Sequence, residues 1–114
     1  MGLRSNQLQT MNQRSIQLQT ELENLLGTGN VYFQPGPNVR LKYPCFIFHR
    51  KTAYQPKAND KTYLFRPAYE VTYINRDEPD PEILEQVARH FYCCHYDRHY
   101  IADNLHHDSF TIYY

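Results

Sequence analysis

The sequence predicts an α+β fold: a small antiparallel or mixed sheet of about four to five strands, with a long N-terminal helix and a second helix packed on it. Three observations point there. Residues 3–26 hold no Pro or Gly and place Leu8, Met11, Ser15, Leu18, Leu22 and Leu25 at three- and four-residue steps, the spacing of one helix face. A Pro- and Asp-rich run opens a second helical pattern at Asp80. Between and after these two stretches, aromatic and β-branched residues alternate in short runs bounded by turn chemistry.

The N-terminal helix is expected to end at "GTGN". Within it "RSNQLQT" (4–10) recurs as "RSIQLQT" (14–20). Ten residues turn a helix by about 1000°, which leaves the copies about 80° apart, so Leu8 and Leu18 do not share one line. The duplication therefore lengthens a helix rather than building a solenoid, with residues 1–15 a loosely held extension of a single domain spanning 1–114. A chain of this length buries roughly two-thirds of its unfolded surface.

"NVYFQP" reads as a short strand stopped by Pro35, and "GPNVRLKYP" as an extended arm between Pro35 and Pro44. Cys45 to Tyr54 has the content of a buried strand, with Cys45, Ile47 and His49 opposing Phe46, Phe48 and Arg50. "QPKANDK" is turn chemistry, and "TYLFRPAYEVTYIN" is the next extended run, broken or bulged at Pro67. In "RDEPDPEILEQVARHFY", Asp80 suits an N-cap, Pro81 the first helical position and Glu82 the positive end of the dipole. Ile83, Leu84, Val87, Ala88 and Phe91 then form a stripe facing a sheet. Cys93 to Tyr114 reads as strand, turn, strand, with Asn104 to Asp108 turning and Phe110, Ile112 and Tyr114 returning to one face.

Composition narrows the function. Lys and Arg total 12 and Asp and Glu total 12, so no net field draws the chain to nucleic acid or anionic lipid. The 11 tyrosines and six phenylalanines favour strands and sit well at protein interfaces. Cys45, Cys93 and Cys94 are an odd count with an adjacent pair, which suits reduced thiols better than a disulfide framework. No run approaches the ~18 apolar residues of a membrane span. Gly2 resembles an acylation start, but Ser5 stands one place early for that motif.

The segment richest in reactive side chains is "HFYCCHYDRHYIADNLHHDSFTIYY", with His90, His95, His99, His106 and His107. On a strand His95 and His99 share a face but lie about 13 Å apart, too far for one metal. They are expected with Asp97 on a polar face, opposite Cys94, Tyr96, Arg98 and Tyr100. Cys93 and Cys94 follow a helix C-terminus, where the dipole opposes a thiolate. "RDEPDPE" lacks the ligand alternation and glycine of a calcium loop. No phosphate-cradling glycine motif occurs, and "HRKTAYQPK" is basic with a single aromatic, ordinary for a solvated loop. Scattered polar chemistry beside abundant aromatic strand surface predicts an interaction or structural protein, not an enzyme, with no catalytic residue, metal site or cofactor.

The order of motifs adds a resemblance. "NVYFQPGPNVRLKYPCFIFHR", then "AND" with a tyrosine three residues on, then "YEVTYINRDEPDPEI" and "DRHYIADNLHHDSFTIYY" together resemble the tail terminator, or tail completion, proteins of tailed bacteriophages, over about residues 20–114. The resemblance implies a homohexameric ring in the virion, assembled in the host cytoplasm. Its partners would be itself, the tail tube protein and a head-completion or neck protein, with DNA only as passing cargo and no membrane. By position alone, subunit contacts are expected in the arm 31–43, at Tyr32, Phe33, Gln34, Arg40 and Tyr43, and tube contacts in the loop 54–62, at Tyr54, Gln55, Lys57, Asn59 and Lys61. Rival readings are a head-completion stopper or adaptor of the same neck, a metal-dependent hydrolase using His95, His99, His106 and His107, and a DNA-binding accessory.

Overall fold

The computed structural model describes residues 11–51 and 68–114. Helix α1 spans Met11–Leu26, 16 residues, and is not especially long; the expected stretch from residue 3 to residue 10 lies outside the described residues. Its stripe is the anticipated one: Ser15, Leu18 and Leu22 are buried, with Leu25 and Leu26 packed against the same core. Gly27 ends it. That residue takes φ 84°, a left-handed geometry costly to a side chain bearing a Cβ, and its N–H bonds the Glu23 carbonyl at 2.8 Å.

Strands follow at β1 (Val31–Phe33), β2 (Cys45–Arg50), β3 (Ala68–Asn75), β4 (Cys93–Ala102) and β5 (Leu105–Tyr113), with helix α2 (Pro81–His90) between β3 and β4. The sheet order is β1-β2-β3-β5-β4, with β1 parallel to β2 and every other pair antiparallel. This is the mixed five-stranded α+β architecture that the patterning predicts. Among the described residues β2 runs Cys45–Arg50, its last partnership being Arg50 with Tyr69. The continuation to Tyr54 and the break at Pro67 lie outside the described residues.

Both helices cover one side of the sheet. Phe46, Phe48, Tyr69, Val71, Phe110 and Ile112 project from successive strands into a core closed by Leu18, Leu22 and Val87. Burying each such side chain contributes about 1.5–3 kcal/mol, which makes this face the main source of stability. A polar clasp adds to it. Glu21 bonds the Tyr114 hydroxyl and lies 2.7 Å from His90 Nε2, while Arg14 donates to the Tyr114 carbonyl at 2.6 Å, so α1, α2 and the last strand are tied together.

Helix α2 starts as expected, with Asp80 accepting from the Glu82 N–H at 3.0 Å and Pro81 in the first turn. Its stripe is narrower than the sequence suggests. Val87 and Phe91 are buried and Ile83 and Leu84 half-buried, but Ala88 is exposed, because the helix lifts from the sheet along that side and leaves a groove.

The hairpin departs most from expectation. The turn is only Asp103 and Asn104, with φ 54° and 61°, and Ala102 already pairs with Leu105. Asp and Asn tolerate the left-handed region better than other side-chain-bearing residues, so two residues suffice to reverse the chain. His106 and His107 are therefore strand residues, paired with Asn75 and Ile74 of β3, and not turn residues. A second departure lies in β4. Tyr96 pairs with Phe110 and Arg98 with Ser109, which makes Asp97 an extra, bulged residue. Beyond it the strand faces exchange: His99 joins Tyr96 on the helix side, while Arg98 and Tyr100 join His95 on the other, in place of the regular alternation expected.

Candidate functional site

Asp108 is the most unusual side chain among the described residues. It sits in β5 opposite Tyr73 and His99, on the helix side, and is 1% exposed. One carboxyl oxygen accepts from the Tyr96 hydroxyl at 2.7 Å. The other, Oδ2, has no hydrogen-bond donor among the described residues. A buried acceptor without a donor costs about 1–3 kcal/mol, so the fold retains this group against its own stability.

The carboxyl lies at the wall of a cleft of about 220 Å³ between the loop that opens α2 and the outer strands. Glu78, Pro79 and Pro81 form one side, Tyr96 and His99 the other. Leu84 and Tyr96 also border a neighbouring, mostly apolar hollow of about 390 Å³ with Phe110, Ala88 and Glu85. The two hollows form one groove along the α2–β4 gap, apolar at one end and carboxyl-lined at the other. Burial, then the Asp108 hydrogen bond, push the Tyr96 phenol up to about 12, so it remains a donor. Burial likewise raises Tyr73, which also feels Cys45, Asp80 and Asp108. At the mouth, His99 Nε2 stands 3.2 Å from His106 Nδ1.

The opposite face of the sheet is a polar ladder. His49 Nε2 lies 3.4 Å from Glu70 Oε1, and Ser109 Oγ donates to Glu70 Oε2 at 3.2 Å. Lys51 Nζ donates to Thr111 Oγ1 at 3.3 Å, which donates to Asp97 Oδ2 at 2.7 Å, and His95 Nε2 lies 3.8 Å from Asp97 Oδ1. Tyr100 stacks on His107 with centroids 4.7 Å apart, and Arg98 covers Tyr100 at 4.8 Å. In both arrays the carboxylate, not the imidazole, touches the hydroxyl. Nucleophile activation needs the imidazole between the two, so these contacts order a surface and do not activate Ser109 or Thr111.

The thiols are quiet as well. Burial pushes Cys45 up to about 12, and burial with the Asp97 charge pushes Cys94 up to about 11. Among the described residues no three His, Cys, Asp or Glu side chains converge to hold a metal. None of the described helices is long and apolar enough to cross a membrane.

Of the residues singled out in the arm, Tyr32, Phe33 and Gln34 lie together at the β1 edge. The Phe33 ring meets that of Phe48 at a tilt, with centroids 4.8 Å apart, Gln34 Oε1 accepts from the Arg50 N–H at 3.4 Å, and the Tyr32 hydroxyl accepts from the Lys42 N–H at 3.2 Å. Tyr43, joined to Pro44 by a cis peptide bond, lies under Arg76 at 5.5 Å. Arg40 is exposed and makes no hydrogen bond or ion pair among the described residues. Tyr54, Gln55, Lys57, Asn59 and Lys61 lie outside the described residues. Sequence reasoning missed Asp108, which it placed in the turn. The available signal was an Asp two residues from Phe110 and four from Ile112 in an alternating strand, hence on their face.

No protein-family model, curated protein or solved structure matches the chain.

Proposed function

We propose that this chain is a structural virion protein that forms a ring at the head-proximal end of a phage tail, caps the tail tube and ends its growth. One observation carries the reading beyond the motif resemblance: among the described residues β1 and β4 have no strand on their outer sides, and both edges present apolar surface. At the β1 edge Phe33 is 37% exposed and Val39 of the arm 46%. At the β4 edge Tyr92 is 94% exposed and Ile101 61%. A sheet with two non-identical apolar edges suits head-to-tail contacts that close into a ring. The proposed ring is a hexamer whose other partners are the tube protein and a neck protein. Zero net charge suits a channel through which DNA passes without adhering. The action is geometric: the ring covers the surface on which the next tube ring would assemble.

The test is to add purified chain to polymerising tail tubes and image their ends. Tubes stopped at a defined end by a ring of this protein support the proposal. Tubes that grow unchanged, with the chain bound to the portal side of heads, would place it instead as the stopper of the neck.

A further inference from the structure

The α2–β4 groove has the chemistry of a receptor for a basic side chain. It offers an apolar channel, bordered by Leu84, Tyr96 and Phe110, that leads to a carboxyl-lined end at Glu78 and Asp108. Asp108 contributes an oxygen left without a donor among the described residues. A long basic side chain matches both halves, since its methylenes lie along apolar surface while its head reaches a carboxylate. Arginine matches better than lysine. Its planar, weakly hydrated head donates in a fork and stacks on aromatic rings, and the walls here are Tyr96 and His99. Oδ2 is closed to bulk water in the isolated chain, so the head of an incoming arginine meets the exposed Glu78 carboxylate first and reaches Asp108 only as the Tyr96 and His99 walls part.

We infer that this groove is filled by Arg40 from the arm of a second copy of the chain, an inference that rests on the ring reading above. Placement favours Arg40. The arm connects β1 to β2, at the edge opposite β4, about 19 Å away across four strand spacings. A head-to-tail neighbour therefore brings the arm of one copy to the β4 edge of the next. The arm also lies at the correct end of the strands. Arg76 covers Tyr43 at 5.5 Å, which joins the end of the arm to the 76–80 loop, and that loop supplies Glu78 and Pro79 to the cleft. Arg40 is exposed and makes no bond of its own among the described residues, while the groove it would enter is rich in carboxyls and short of donors.

Assembly of the full chain by analytical ultracentrifugation, with Arg40→Ala, Arg40→Lys, Lys42→Ala and Asp108→Asn, tests the contact. Arg40→Ala is expected to weaken assembly at least tenfold, Arg40→Lys to recover part of it, and Lys42→Ala to change it less than twofold. Because Asp108→Asn touches the core, a second measurement avoids relying on it alone. N-acetyl-arginine amide, titrated into Arg40→Ala protein, should shift the NMR amide signals of Glu78, Tyr96 and His99, and N-acetyl-lysine amide should do so more weakly. Rings formed by Arg40→Ala as readily as by wild type overturn the inference and leave the ring reading standing. Wild-type protein that stays monomeric at millimolar concentration overturns both. An arginine amide that moves none of these signals assigns the free oxygen to water and overturns the site itself.

Discussion

Tyr96→Phe isolates the oddity at Asp108. The substitution keeps the ring, whose edge meets Phe110 at 5.2 Å, and removes only the hydroxyl that bonds the carboxyl at 2.7 Å. Asp108 is then left with neither oxygen paired in a site 1% exposed. Leaving a buried acceptor without its donor costs about 1–3 kcal/mol, whereas replacing both partners by apolar groups is close to neutral. For a domain of this size, a loss on that scale lowers the melting temperature by about 4–12 °C. The double variant Tyr96→Phe/Asp108→Val should regain most of the loss, since Val suits a strand and needs no donor. Calorimetry and urea unfolding of the two single variants, the double variant and wild type complete the cycle. A Tyr96→Phe change below about 0.5 kcal/mol, or a double variant no better than the single, would refute the reasoning, because Asp108 would then have another donor.

Other consequences are as direct. Leu22→Ala should cost about 2–5 kcal/mol in chemical denaturation and Ile16→Ala less than about 0.5, because Leu22 is fully buried and Ile16 56% exposed on the same helix. Asn104→Gly should stabilise by a few tenths to about 1 kcal/mol by relieving the left-handed backbone at φ 61°, and a loss would show that the side chain has a further role. Asp80→Ala should lower stability by about 1 kcal/mol through the lost cap on the Glu82 N–H. Stability should also fall in alkali. Folding raises Cys45 and Cys94 from 9.0 to about 12 and about 11, and Tyr96 from 10.0 to about 12. These groups are neutral when protonated, so their contribution is complete below their ordinary values and disappears as pH rises through the folded ones. Unfolding free energy that is flat from pH 8 to 12 would contradict the burial of these groups.

The sequence carried the architecture through periodicity. The stripe through Ser15, Leu18 and Leu22 and the Asp80-Pro81 start of α2 are local signals, and tertiary packing did not override them. The hairpin was misplaced for a physical reason. Asp103-Asn104 has no glycine, and polar His106 and His107 resemble loop residues, yet their backbones complete the ladder to β3. The groove was illegible for a different reason. It depends on a one-residue shift in β4 and on Ala88 standing clear of the sheet, and neither alters hydrophobic spacing. With a regular strand, His99 would lie beside His95, and Asp108 would have one wall fewer.

The bulge at Asp97 also bears on how such a protein can change by descent. It stands midway along an edge strand, its carboxylate accepting from the Thr111 hydroxyl on the polar face. Deleting that one residue would leave every pairing of β4 in place, because Tyr96 already stands opposite Phe110 and Arg98 opposite Ser109, so His99 and Ile101 would keep the helix side and Arg98 and Tyr100 the polar side. A single codon lost there would remove the extra residue, its bond to Thr111 and the added local twist, while both faces of the rim stay as they are. The edge can thus shed one residue without its neighbours meeting a different set of side chains, and a change of face at the rim requires a slip of β4 against β5 instead.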